Sequence, residues 1–258
     1  MRAARLLTLF GAPALGLLAG LAFATPAGAE EEIVLPKQNW SFSGPFGTFD
    51  RAAAQRGFQV YNEVCSNCHS LKLGYYRNLA GIDLSEEQIK AIAAAKSVPT
   101  IGDDGQPTER PALPADHFRS PYPNDKAARA ALNGALPPDL SVIEKAREGG
   151  PDYIFALMTG YGEPPADMKM GDGMNYNKYF PGHQIAMPQP LQDDQVTYAD
   201  GTKATVEQEA RDVATFLTYM ANPEMEQRKR MGVKVIAFLV LLTGVTYAVK
   251  RKVWSDVH

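Results

Sequence analysis

The sequence predicts a mainly α-helical globular part enlarged by long loops and followed by one C-terminal transmembrane helix. Three observations predict it: polar capping residues ahead of apolar stripes at helical spacing, two long Pro- and turn-rich stretches with little strand signal, and an apolar run near the C-terminus.

From the N-terminus, Arg2 and Arg5 precede an apolar run from Leu6 to Ala24, and Ala27-Gly28-Ala29 has the small-x-small pattern of a processing site. Residues 1–29 therefore read as a signal peptide, with the mature chain starting at Glu30. A permanent anchor fits less well, because the segment is short and ends in a processing signal. Asp50 is placed to cap a helix carrying Ala54, Phe58, Tyr61 and Cys65 at three-to-four spacing. Ser85-x-x-Gln88 is a capping-box pattern ahead of Ile89 and Ile92. Residues 98–138 and 161–190 are rich in Pro and turn formers and predict long ordered loops. A short hairpin is expected between Gln195 and Lys203, turning at Ala199-Asp200-Gly201. Thr205-x-x-Gln208 opens a helix with the stripe Val206, Ala210, Val213, Leu217 and Met220, stopped by Asn222-Pro223.

The run from Gly232 to Val249 is broken only by Lys234, whose stem can snorkel, and closes with Lys250-Arg251-Lys252. The span is long enough to cross a membrane. Basic residues flank both of its ends, so they do not orient it. Export of the preceding domain does. No internal repeat is present, which gives one exported domain at 30–227 in the periplasm, a transmembrane anchor at 228–250 and a cytoplasmic tail at 251–258.

Cys65-Ser66-Asn67-Cys68-His69 carries the chemistry. Two thiols three residues apart followed by an imidazole is the spacing that attaches c-type haem: each thiol adds across one vinyl group, and His69 falls beneath the iron as proximal ligand. The globular part thus reads as a cytochrome c-type haem domain holding one haem c, bound through Cys65 and Cys68. A zinc site would want a second ligand pair, and His117, His183 and His258 are scattered singly. A redox dithiol does not require the adjacent His. With two cysteines in the chain, no disulfide can coexist with the attached haem.

The sixth iron ligand separates electron transfer from chemistry at iron. Met168, Met170, Met174 and Met187 fall in loops. Met187 has the stiffest setting, between Pro181 and the prolines at 188 and 190, which lowers the entropy lost in holding a thioether. His183 is its rival, and residue chemistry alone leaves both open.

Charge is split along the chain. Residues 30–227 hold 28 acidic and 17 basic side chains, a balance of −11, whereas 228–258 carry +6. The acidic domain sets this chain against nucleic acid and would steer a basic soluble partner toward it.

Gly57-Phe58-Gln59-Val60-Tyr61 running into the haem motif, Pro121-Tyr122-Pro123-Asn124, Asn133 through Ser141, Thr159-Gly160-Tyr161, Glu163-Pro164-Pro165, Tyr179-Phe180-Pro181-Gly182 through Met187, and Arg228-Lys229-Arg230-Met231-Gly232 together resemble the cytochrome c1 family. The resemblance covers almost the whole mature chain. It implies the haem-c subunit of the cytochrome bc1 complex, an electron carrier with no substrate chemistry of its own, moving single electrons from the Rieske iron–sulfur protein to a soluble basic cytochrome c. It implies Met187 as distal ligand opposite His69, Arg147 at a haem propionate, Tyr153 and Pro138 lining the pocket, and cytochrome b, membrane lipid and a dimeric complex as surroundings. His183 departs from the pattern, since some relatives have Gln there. Two other classes are an independent membrane-anchored shuttle, which would want a long linker before its anchor, and a haem enzyme or gas sensor with an open sixth position, which would bind carbon monoxide when reduced. No linker separates Met220 from Gly232.

Overall fold

The computed structural model describes residues 33–256; the signal-peptide reading of 1–29 lies outside the described residues. As expected, the fold is mainly helical. In chain order the elements are α1 (Arg51–Glu63), α2 (Glu86–Ala94), β1 (Ser97–Ile101), β2 (Pro107–Pro111), α3 (Asp125–Ala131), α4 (Pro151–Thr159), β3 (Asn175–Tyr176), β4 (Gln184–Ile185), α5 (Val206–Ala221) and α6 (Met225–Val253), with short 3₁₀ turns between.

Local chemistry starts the helices where expected. Asp50 Oδ1 accepts from Ala53 N at 3.0 Å, and Ser85 with Gln88 forms the full reciprocal box. Thr205 accepts from Gln208 N at 3.2 Å, but the Gln208 amide turns instead to Asp212 Oδ1. The centre of the fold is α1 against α5, with α4 on α5. The two helices cross so closely that a Cβ on Gly57 would sit 1.9 Å from the Asp212 carbonyl oxygen, so glycine is required there. Around this crossing Phe58, Tyr61, Phe118 and Phe216 form a tilted and edge-on aromatic cluster at 5.5–6.2 Å between centroids. Tyr61 and Phe216 are fully buried, each burial contributing about 1.5–3 kcal/mol.

One buried ion pair joins the same helices. Arg56 donates Nε and Nη2 to Asp212 at 2.8 and 3.0 Å and Nη1 to Asp200 at 2.8 Å. The Asp212 hydrogen bond, the largest influence, raises the guanidinium pKa above its ordinary value. On α4, buried Asp152 accepts from Trp40 Nε1 at 2.7 Å and Gln38 N at 3.0 Å, which ties the N-terminal arm to the helix.

The loops differ from expectation in two places. Residues 97–101 and 107–111 form an antiparallel ladder, Ser97 opposite Pro111, which but for Ser97 lies inside the stretch read as loop. Its three prolines hide the strands, since a proline is tolerated where the ladder does not need its N–H. Between Gln195 and Lys203 no ladder forms. The turn at Asp200 is present, but Val196 and Tyr198 are buried in the core rather than paired. Residues 161–190 remain loop except for the β3–β4 pairing of Asn175 with Ile185 and Tyr176 with Gln184.

Asn222 ends α5, and only residues 222–224 separate it from α6. The 29 residues of α6 would span about 44 Å at 1.5 Å each, more than a bilayer core of about 30 Å. It is long and apolar enough to cross a membrane, and its apolar side chains are exposed. Its first turns are clamped to the globular part. Glu226 accepts from Phe49 N at 2.8 Å and Arg51 Nη2 at 2.9 Å, and Lys229 Nζ donates to the Phe42 and Gly47 carbonyls at 2.6 and 3.1 Å.

Candidate haem site

The Cys-x-x-Cys-His segment is the end of α1 wound one turn tighter. Cys65–Asn67 is a 3₁₀ turn, His69 N donates to Cys65 O at 2.8 Å and Cys68 N to the same oxygen at 3.1 Å. Ser66 Oγ and Asn67 Nδ2 return to the Asn62 and Glu63 carbonyls, so both intervening side chains hold the helix end. The two thiols are unpaired with each other and partly buried. Burial pushes the Cys65 thiol up to about 12. The Tyr122 hydroxyl faces Cys68.

His69 Nδ1 lies 2.8 Å from the Pro138 carbonyl oxygen. A carbonyl only accepts, so Nδ1 carries the proton and Nε2 keeps its lone pair. Burial lowers the His69 pKa, with the Pro138 hydrogen bond and Asp139 opposing, so the ring is neutral at physiological pH. A neutral imidazole with its second nitrogen hydrogen-bonded to backbone is the form that binds iron.

Asp139 holds the Pro138 carbonyl in place. Its Oδ2 accepts from Ser70 Oγ at 2.7 Å and Lys72 N at 2.8 Å, and its Oδ1 from Ser141 N at 3.0 Å. Ser141 Oγ accepts in turn from Leu73 N, and Leu140 N donates to Ser70 O. Burial raises the Asp139 pKa, but these hydrogen bonds outweigh it and the net shift is downward. The Asp-x-Ser turn after Pro137-Pro138 was the available sequence signal for this residue.

Met187 is partly buried and packs on the main core, as does Cys65. Its carbonyl accepts from Tyr161 Oη at 3.1 Å. The loop leading to it hangs from fully buried Asn177, which donates Nδ2 to Leu157 O at 2.7 Å and its backbone N to His183 O at 3.0 Å. Gly182 takes φ +72°, and His183 follows at φ +57°, its ring tilted by 32° against Tyr176 with centroids 6.0 Å apart. Tyr153 is buried on α4, and the exposed Arg147 at the preceding turn reaches its hydroxyl; burial raises the Tyr153 pKa and Arg147 partly offsets it. Tyr161 is also raised, by burial first and then by Tyr153. Arg147, Tyr153, Tyr161 and the Met187 loop are therefore linked pairwise to one another, as His69 is to Pro138. A cleft of about 950 Å³ opens beside Cys68, Tyr122 and Pro138; Cys65, His69 and Met187 lie outside its lining. It is an approach to the Cys68 side of the motif.

Two free thiols in one turn, a neutral imidazole with Nε2 available and a loop thioether are a donor set that fits haem c. A model of the cytochrome c1 family matches residues 40–257. The chain belongs to the cytochrome c1 family. It is 47% identical over 245 residues to cytochrome c1 of Rhodospirillum rubrum, an alignment covering 88% of this chain and 90% of that one. It is 48% identical over 231 residues to the mitochondrial cytochrome c1 haem protein of Saccharomyces cerevisiae, covering 89% and 75% respectively. A Candida albicans protein named as the mitochondrial cytochrome b-c1 complex catalytic subunit is also 48% identical over 231 residues, covering 89% of this chain and 80% of its own. Members of the cytochrome c1 family bind haem c covalently, and Cys65 and Cys68 are the thiols this chain offers. Sequence reasoning missed Asp139, Asn177 and Tyr161 as supports of the site, because their roles depend on contacts 20 or more residues away.

Proposed function

We propose that this chain carries single electrons from the Rieske iron–sulfur protein to a soluble basic cytochrome c. As a member of the cytochrome c1 family it is the electron-transfer subunit of the membrane-anchored cytochrome bc1 complex, which contains cytochrome b. Cys65 and Cys68 would hold the haem by thioether bonds, and His69 Nε2 and the Met187 thioether would be the two protein ligands to its iron. Arg147 pairs with a propionate, and Tyr153 and Pro138 line the pocket. The observation that carries this reading is the His69–Pro138 hydrogen bond, which fixes the tautomer and aims the free nitrogen. Bound haem supplies a one-electron couple; the chain's residues orient it, exclude water and set its potential.

The exported domain, 30–227, lies in the periplasm after removal of 1–29, with 228–250 crossing the inner membrane, 251–258 in the cytoplasm, and the complex dimeric. Membrane lipid surrounds the span. Glu163, Asp167 and Asp172 are exposed on the loop that leads to Met187 and suit a basic partner. The purified complex is therefore expected to reduce a basic soluble cytochrome c in a stopped-flow assay, its second-order rate falling roughly tenfold or more as ionic strength rises. Neutralising the three acids together, E163Q/D167N/D172N, is expected to flatten that salt dependence. A complex that turns over quinol without passing electrons to any such cytochrome would sink the proposal.

Asp139→Asn tests the support beneath the proximal side. Losing charge-assisted hydrogen bonds is expected to cost about 1.5–3 kcal/mol, seen as a lower melting temperature. Because the folded-state pKa of Asp139 is depressed, its contribution is full at neutral pH and is lost as pH falls below about 4. Wild type and variant should converge in stability in acid.

A further inference from the structure

A buried carboxyl that the electron-transfer reading does not use stands behind the haem motif. Glu209, on the first turns of α5, is 0% exposed. Its Oε1 accepts from Val196 N at 3.3 Å, and its Oε2 has no hydrogen-bond partner. An ionised carboxylate in that position is costly unless paired. Among the described residues, the groups around it offer no free cation. From α5 it faces Asp212; from the preceding loop, Asp193, Asp194 and Tyr198; from the end of α1, Cys65. Arg56 is committed to Asp212 and Asp200. On α4, packed against α5, Asp152 is engaged with Trp40, and Tyr153 with Arg147. Burial, followed by the neighbouring aspartates, pushes Glu209 up to about 7.

Glu209 is also within electrostatic reach of Cys65, the first thiol of the motif. A charge at the haem therefore acts on Glu209 through protein rather than through water, where the interaction would be screened.

We propose that Glu209 couples a proton to this chain's electron transfer, binding it at Oε2 when the haem is reduced and releasing it when the haem is oxidised. The proposal rests on attachment of haem at Cys65. One electron, supplied by the activity of the complex, takes Fe(III) to Fe(II), and one proton from water forms the O–H bond on Oε2; on reoxidation both leave, and no other bond changes. The oxidised centre carries one more positive charge, which favours the carboxylate. The reduced centre favours the acid.

The test is an optical redox titration of the purified membrane complex from about pH 5.5 to about 9, for wild type, Glu209→Gln and Glu209→Met. In wild type the midpoint of the c-type haem is expected to fall with rising pH through neutrality, approaching one proton per electron at its steepest. Both variants should lose that slope while keeping covalent haem and a normal reduced spectrum. Met fills the same volume without a carboxyl or an amide and serves should the Gln variant fail to assemble. A wild-type midpoint flat across the range, or a slope undiminished in the variants and so belonging to another group such as a propionate, overturns the proposal. Absence of covalent haem from the wild-type chain on a denaturing gel would instead overturn the Cys65 attachment on which it rests.

Discussion

Replacing Met187 by leucine is expected to lower the haem reduction potential sharply and to let the reduced protein bind carbon monoxide, which wild type should not do. A thioether ligand favours the reduced iron, and its loss both removes that preference and opens a coordination position. Leucine is similar in volume and apolar, so packing against the core costs less than about 1.5 kcal/mol and the fold should survive. Tyr161 and Asn177 would still hold the loop. The measurement is a redox-monitored spectrum of the purified complex with carbon monoxide added to the reduced form. An unchanged variant would pass the ligand role to His183 or another methionine. Tyr161→Phe should give a weaker version of the same response, because it frees the Met187 carbonyl without removing the sulfur.

Asp212→Ala is expected to cost about 3–5 kcal/mol. The aspartate side chain is fully buried and receives two bonds from Arg56. Removing it leaves a guanidinium at the α1–α5 crossing with only the partly exposed Asp200 to answer it. The double change Arg56→Met with Asp212→Leu should recover most of the loss, since desolvation of an ion pair offsets much of its attraction. Chemical denaturation of the haem-loaded complex, followed by the haem absorbance, reads both. A single variant as stable as wild type would show that water reaches the pair.

Asp212 also illustrates what sequence could and could not reveal. The helices it joins, and α2 with them, were legible, because Asp50, Ser85 and Thr205 act on backbone groups three residues away and the apolar stripes repeat locally. The haem motif was legible for the same reason: its spacing is covalent chemistry within five residues. The β1–β2 ladder was not, because Pro99, Pro107 and Pro111 speak against strands while the pairing partner lies on the far side of a turn. The turn at Ala199-Asp200-Gly201 was foreseen, but its flanks are drawn into the core, a decision made by tertiary packing. Asp139 looked like a turn residue, and it is one; that the same carboxylate also fixes the carbonyl under His69 depends on Ser70 and Lys72, nearly 70 residues earlier.

The clamp at the head of α6 bears on how charge can travel. With Glu226 gripping Arg51 and Phe49, Lys229 closing on two carbonyls, and three residues between α5 and α6, the domain has no pivot about which to swing. Electron tunnelling is steeply attenuated by distance, and a bolted terminal cannot shorten its own gaps. On the proposed function, a donor or acceptor would have to close that distance itself, so the pace of electron exchange would rest on a partner's approach rather than on a swing of this domain.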